Sequence, residues 1–220
     1  MVTRPARRVR TLRMRVPTAR QLVPAGLAGF VALVAVEHVL RPGLPPADHF
    51  VSEYAVGSTR PVQTVAFLAW AVATGASVVV AARAEPRPGR PIARALTAGS
   101  LAVATAGTLL CAAFRTQTVA GDLPKGVART TEGRLHDVGT LLILAGLLLA
   151  ALASLRLIRS WRYRGAVAGL AVALLAIVPV LVAVGWDAPG IGQRGFILVG
   201  VAWQWVFASS TRGPGTAGGG

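Results

Sequence analysis

Long apolar stretches alternate with short charged ones along the whole chain. Six stretches with few or no charged residues cover 22–40, 62–82, 92–114, 135–155, 165–185 and 191–209. Each is close to the roughly 20 residues that an α-helix needs to cross a hydrocarbon core of ~30 Å. The pattern predicts an all-α polytopic membrane bundle of six transmembrane helices. The sixth stretch has the shortest apolar run and begins beside Gln193 and Arg194, so five spans are the alternative.

The basic residues predict the orientation of these spans. Lys and Arg accumulate in the cytoplasmic segments of membrane proteins. If alternate loops of a six-span chain are sorted to the two sides, 16 of the 23 basic residues fall on the side that holds both termini and 7 on the other. We therefore expect a multi-pass protein of the cell membrane with both termini in the cytoplasm, an arrangement that five spans would not allow.

The two ends of the chain differ from the transmembrane domain at 22–209. Residues 1–21 form a basic segment that we expect to be a disordered cytoplasmic arm, and 210–220 form a Gly-rich tail that we also expect to be disordered. The apolar stretch at 22–40 is longer than the core of a signal peptide, so it is interpreted as a first transmembrane helix.

Composition agrees with a protein that faces lipid. Hydrophobic residues make up 54% of the chain, charged residues 14%, and the mean hydropathy is +0.60. The net charge of +15 would suggest nucleic acid as a partner of a soluble protein, but here the arginines flank apolar spans, so the lipid bilayer is the expected partner and nucleic acid is not. Cys111 is the only cysteine, which excludes a disulfide framework.

Small and aromatic residues give expectations about packing. Gly165, Gly169 and Ala173 recur every four residues, a pattern typical of close helix contacts in membranes. We expect these contacts within one bundle, with self-association as the alternative use. Pro179 should bend the fifth helix. The residues expected to form an aromatic belt at the membrane surfaces are Trp161, Tyr163, Trp186, Trp203 and Trp205.

Polar residues suited to chemistry lie on the predicted outer side. We expect a polar extracytoplasmic pocket formed by Ser52, Glu53, Tyr54, Thr116, His136, Asp137, Gln193 and Arg194. His136 is expected to contact the segment 52–54. Ser52 has the chemistry of a nucleophile and Glu53 that of a base. The nitrogen and carboxylate ligands that zinc accepts are offered by His49, Glu53, His136 and Asp187.

The same residues also fit purely structural roles. Glu53 is placed to pair with Arg60 or Arg194, His136 to bond a loop carbonyl, and Asp137 to interact favourably with a helix N-terminus. Motifs of the HExxH and GxSxG types and a glycine-rich phosphate loop are missing from the sequence, and no cofactor can be assigned. Glu37 and His38 lie at the outer end of the first span, which leaves its deep interior uncharged.

Residues 38–57, with a Pro-rich turn followed by Ser52, Glu53, Tyr54 and Gly57, resemble the hallmark of the uncharacterised membrane family catalogued as domain of unknown function 998. Similar elements follow in the order Phe114 and Thr116, Gly133 and His136, Gly192 to Arg194, and Trp203. The resemblance spans about 22–209 and implies a multi-spanning bacterial membrane protein with no established activity. Gln117 stands where the resemblance leads us to expect an Asp. If that acid acts as a ligand or base in the family, this chain has either lost it or uses Asp122 instead.

Three functions fit the sequence. The first is a non-enzymatic binding or accessory membrane protein, whose ligand would be a lipid or a small molecule. The alternative is an outer-face hydrolase or lipid-modifying enzyme, with or without a metal, motivated by the Ser, Glu, His and Asp content of that side. A small-molecule transporter is disfavoured, because proton-coupled carriers usually place ionisable groups deep in their spans.

Overall fold

In a computed structural model, residues 17–84, 90–177 and 188–211 are described, and their regular structure is helical apart from one isolated bridge between Val119 and Asp122. The α-helices are α1 (Ala19–Leu40), α2 (Arg60–Ala82), α3 (Pro91–Ala113), α4 (Thr131–Ser154), α5 (Trp161–Val172) and α6 (Pro189–Ser210). A 3-10 helix, Val51–Ala55, lies between α1 and α2, and a π-helical turn, Ala173–Ile177, continues α5.

The predicted all-α architecture is confirmed for the described residues. Helices α1 to α4 are long and apolar enough to cross a membrane, which makes them candidate spans and supports four of the six predicted. The six-span total and the location of the termini remain predictions. The helix of the fifth stretch begins at Trp161, before the predicted start at 165, and the part of the stretch after residue 177, with Pro179, lies outside the described residues. So do 1–16 of the basic arm and 212–220 of the tail, whereas 19–21 and 210 belong to α1 and α6.

Helix α4 begins four residues before its predicted start at 135. The hydroxyl of Thr130 accepts a hydrogen bond from the backbone N–H of Gly133 at 3.1 Å, and Glu132 lies in the first turn. An N-cap hydroxyl and an acidic first turn both stabilise a helix N-terminus. His136 and Asp137 are therefore helical residues, and hydropathy alone missed the polar first turn.

The helices form a ring in which each contacts its neighbours. Helix α1 packs against α2, α2 against α3, and α3 against α4, while α6 contacts both α1 and α5. The contact between α4 and α5 closes the ring and is slight compared with the contact between α3 and α4. This α4–α5 seam is the smallest contact in the ring among the described residues.

Small residues allow a close helix contact between α3 and α4. A Cβ atom added at Gly107 would lie 2.5 Å from the carbonyl oxygen of Gly139, and one added at Gly146 would lie 2.7 Å from the carbonyl oxygen of Ser100. These are backbone contacts, which a side chain could not relieve by changing rotamer. Gly139 and Gly146 therefore carry a packing role that the sequence analysis did not assign.

Two expectations about packing are wrong. A Cβ added at Gly165 or Gly169 would meet no described atom within 4 Å, so these glycines do not form the expected contact within the bundle. Ala173 is buried. Tyr163 and Trp203 are completely buried core residues and not members of a surface belt, whereas Trp161 and Trp205 are exposed. Trp186 lies outside the described residues.

Candidate functional site

Residues 41–59, between α1 and α2, fold back onto the bundle and are called the outer cap below. The 3-10 helix at its centre is buried throughout, with Ser52, Glu53 and Tyr54 exposed by 5%, 3% and 0%. Burial of a polar segment costs free energy unless its hydrogen-bonding groups are paired. The outer cap therefore depends on partners from the helices and from the loop between α3 and α4.

Arg194 of α6 is the main partner of the outer cap. Its Nη1 donates to the carbonyl oxygens of Pro46 at 2.7 Å and His49 at 2.6 Å. Its Nε donates to His38 Nε2 at 3.2 Å, and its Nη2 to the Tyr54 hydroxyl at 3.4 Å. The rigid, planar donor set of a guanidinium suits this arrangement. One side chain thus joins α6, α1 and the outer cap.

The first turn of α6 adds backbone contacts to the same cap. The N–H of Gly190 donates to the carbonyl oxygen of Ala47 at 2.8 Å, and the side-chain oxygen of Gln193 accepts from the N–H of Val51 at 2.6 Å. A Cβ at Gly190 would lie 2.5 Å from the carbonyl oxygen of His49. Gly190, Gln193 and Arg194 of α6 therefore hold the outer cap.

Tyr54 is the buried centre of the outer cap. Its hydroxyl donates to the carbonyl oxygen of Leu44 at 3.0 Å, and Thr59 donates to its backbone oxygen at 2.8 Å. Burial raises the pKa of the Tyr54 hydroxyl, against the opposing effect of the Arg194 guanidinium. Tyr54 is consequently a neutral donor at physiological pH, which is the form these bonds require.

Glu53 fastens the outer cap to the loop between α3 and α4. Its carboxylate accepts from the N–H groups of Ala120 and Gly121, both at 2.9 Å, and bonds to His49 Nδ1 at 2.6 Å. Ala120 and Gly121 have φ angles of 51° and 86°, which turn both N–H groups towards the carboxylate. The expected pairing of Glu53 with Arg60 or Arg194 is wrong, since Arg60 pairs with Glu132 instead.

The remaining predicted pocket residues gather around the start of α4. His136 is 3% exposed, and its Nδ1 bonds to the carbonyl oxygen of Phe114 at 2.8 Å. Thr116 and Thr118 share a hydrogen bond between hydroxyls at 2.9 Å, and Asp137 forms an ion pair with Arg129. Each group has a structural partner here. The proposed contact of His136 with residues 52–54, and a single pocket joining both groups, stay predictions.

Gln117 also has a structural partner. Its side-chain oxygen accepts from the N–H of Thr130 at 2.7 Å, at the N-cap of α4. A Gln at this position therefore holds the connection between α3 and α4.

The metal candidates do not assemble into a larger group in the part of the chain that the structure describes. His49 and Glu53 bond to each other, whereas the bonded Nδ1 of His136 faces Phe114. No cluster of three or more His, Cys, Asp or Glu residues is found among the described residues. Asp187 lies outside them.

Sequence reasoning missed a buried pair below the outer cap, Glu37 of α1 and Gln63 of α2. Both are completely buried and lie against each other, and with its nitrogen turned towards Glu37 the Gln63 amide would donate to the carboxylate. Seven residues further into each helix, the rings of Phe30 and Trp70 stack at 4.8 Å. The sequence signal for this pair was the spacing of seven residues, or two helical turns, between Phe30 and Glu37, because it places Glu37 on the buried face of α1.

A second feature lies at the predicted cytoplasmic end of the bundle, along the α4–α5 seam. A cavity of about 400 Å³ is lined by Leu152, Leu155, Arg164, Val167, Ala168 and Ala171. Below, it is called the seam groove. Its lining is apolar except for Arg164. Nearby, Tyr163 accepts from Trp203 Nε1 at 3.1 Å and shares a hydrogen bond with Ser154, which joins α4, α5 and α6.

Comparison with known proteins gives one match. A family model described as "Protein of unknown function (DUF998)" matches residues 24–210. Searches of curated proteins and of solved structures give no significant match.

Proposed function

Since the chain belongs to the DUF998 family, whose function is unknown, we propose that it is a non-enzymatic binding protein of the membrane. The proposed ligand is an anionic phospholipid held in the seam groove. The observation that supports this proposal most is the seam groove itself, an open and mostly apolar groove with a single guanidinium, Arg164, in its lining.

The lining of the seam groove matches the two parts of such a lipid. Leu152, Leu155 and Val167 offer apolar surface to an acyl chain. The Arg164 guanidinium would bind a phosphate with two parallel N–H donors, a geometry that favours Arg over Lys. The seam groove, which is apolar apart from one cationic side chain, is thus suited to a phospholipid and less suited to a polar solute.

The surrounding charge favours an anionic lipid. Arg156, Arg159 and Arg162 lie in or beside the short connection between α4 and α5. Each basic residue near an anionic leaflet contributes about 1 kcal/mol of attraction. Trp161 is 77% exposed with the Arg162 guanidinium 5.6 Å from its ring centre, as expected of a residue at the membrane surface. The basic residues of this connection therefore also favour a lipid with a negatively charged headgroup.

The hydrolase and transporter alternatives have less support. A general base needs a side chain with free reach to the substrate, but the Glu53 carboxylate accepts bonds from two backbone N–H groups and His49. His136 is directed to the Phe114 carbonyl. For a transporter, a polar path to the cytoplasmic side would be required, whereas the seam groove is mostly apolar.

Native mass spectrometry with defined lipids tests the proposal. Protein purified in detergent would be titrated with phosphatidylglycerol and, separately, with phosphatidylcholine. We expect preferential binding of phosphatidylglycerol to the wild type and a several-fold loss of that binding in Arg164→Gln. Arg83→Gln is the matched control, because Arg83 is an exposed arginine on the same predicted side but outside the seam groove.

A second variant tests the apolar part of the seam groove. Ala168 is exposed and lines the groove, so Ala168→Trp should occupy the space of an acyl chain without disturbing the core. We expect it to weaken binding of both lipids. Equal binding of the two lipids to the wild type, or unchanged binding in both Arg164→Gln and Ala168→Trp, would contradict the proposal.

A further inference from the structure

We propose that Glu37 and Gln63 form a proton-binding site beneath the outer cap, in which the carboxyl group exchanges a proton and the amide turns to match its state. This site is independent of the seam groove, which involves other helices and the opposite end of the bundle.

The pair consists of one ionisable side chain and one neutral amide. Both side chains are completely buried in helices that are apolar enough to cross a membrane. An ionisable side chain at such a position is expensive and marks a functional site by default. The partner of the carboxyl group here is a neutral amide, and not a cation as in a buried ion pair.

An amide can serve both protonation states of the carboxyl group. With Glu37 ionised, the Gln63 nitrogen donates to the carboxylate. With Glu37 protonated, its O–H would donate to the Gln63 oxygen after the amide has turned by half a revolution. The proton is taken from water and returned to water, so no other reactant is needed. A lysine or arginine in place of Gln63 would hold the ionised form alone.

Among the residues that the structure describes, no cation bonds directly to Glu37. The charge of Arg41, at the end of α1, acts on Glu37, but the guanidinium donates to the Val56 carbonyl oxygen at 2.6 Å and to Thr59 Oγ1 at 3.2 Å. From the outer cap, Tyr54 experiences the charge of Glu37. The ring of His38 bonds to the Val34 carbonyl oxygen and to Arg194.

The position of Tyr54 connects the site with the outer cap. A negative charge on Glu37 acts on Tyr54 and Arg41, two residues that hold the outer cap through hydrogen bonds to its backbone. Uptake of a proton by Glu37 would remove that charge. The proposed site thus makes the outer cap responsive to a proton.

Infrared difference spectroscopy on the full chain in liposomes tests this inference. The sample would be cycled between acidic and alkaline buffer, and the C=O band of a protonated carboxyl group followed. We expect a reversible band in the wild type that is absent in Glu37→Gln. Glu132→Gln is the control, since Glu132 is a partly exposed carboxylate that bonds Arg115, and its variant should keep the band.

A second variant covers the case in which Glu37→Gln does not fold. Gln63→Leu removes the amide, so the C=O band of the protonated Glu37 should shift in frequency and its pH midpoint should move. An identical spectrum in the wild type and Glu37→Gln would overturn the inference, and so would a band whose frequency and midpoint are unchanged in Gln63→Leu.

Discussion

At the scale of single residues, Arg194 shows how a polar side chain can hold a loop at the end of a membrane bundle. Its donors face two backbone carbonyl oxygens of the outer cap, the Tyr54 hydroxyl and His38. Hydrogen bonds from a charged donor contribute about 1.5–3 kcal/mol, more than those between neutral groups. The Arg194 guanidinium therefore contributes more hydrogen bonds to the outer cap than any other described side chain of α6.

The variant Arg194→Lys tests this role. A lysine keeps the charge but has no planar donor set, so it cannot reach His38, Tyr54 and both carbonyl oxygens together. We expect a loss of about 1.5–3 kcal/mol in stability, seen as a lower Tm in detergent. Hydrogen exchange in residues 41–59 should also become faster. Arg134→Lys, at an exposed arginine of α4, is the control and should leave both measurements unchanged.

The sequence indicated correctly which polar residues belong to the outer cap. It was less reliable about the hydrogen-bond partners of these residues. Ser52, Glu53 and Tyr54 were singled out, and all three are buried in the outer cap. The partners of Glu53 were predicted wrongly because they are backbone N–H groups of Ala120 and Gly121, which carry no sequence signature. Glu37 was misjudged because its burial depends on the folded outer cap and on Gln63.

At the scale of elements, the hydropathy pattern located the helices well, whereas the spacing of small residues predicted their contacts poorly. The predicted bounds of the first three spans agree with α1, α2 and α3 to within three residues. A Cβ at Gly165 or Gly169 nevertheless meets none of the described atoms within 4 Å, whereas Gly107 and Gly139 make a close contact between α3 and α4. Glycine spacing alone does not reveal which face of a helix meets a neighbour, since that depends on the order of helices in the ring.

Two glycines of the same helix test the α3–α4 contact. In Gly107→Ala, the new Cβ would lie 2.5 Å from the Gly139 carbonyl oxygen and 2.8 Å from the Ile143 nitrogen. We expect a loss of about 1–3 kcal/mol, the usual cost of overpacking, and a lower Tm. In Gly99→Ala, the Cβ meets no described atom within 4 Å, so the Tm should stay the same or rise. Equal effects of the two variants would contradict this packing.

At the scale of the whole molecule, the ring of helices has two ends with different chemistry. The outer cap, with the Glu37 site beneath it, lies at one end, and the seam groove with Arg164 lies at the other. Both proposals depend on which compartment each end faces. The charge count could predict that orientation, because basic residues follow the positive-inside rule, but contacts within the bundle do not report on it.

Cysteine accessibility in intact cells measures this orientation directly. In a Cys111→Ala background, single cysteines would be introduced as Ser58→Cys in the outer cap, Ser160→Cys before α5 and Thr216→Cys in the tail. Ser58 and Ser160 are both exposed. A maleimide that cannot cross the membrane should label Ser58→Cys in intact cells, and should label Ser160→Cys and Thr216→Cys only after the membrane is opened. Labelling of Thr216→Cys in intact cells, or protection of Ser58→Cys, would contradict six spans with cytoplasmic termini.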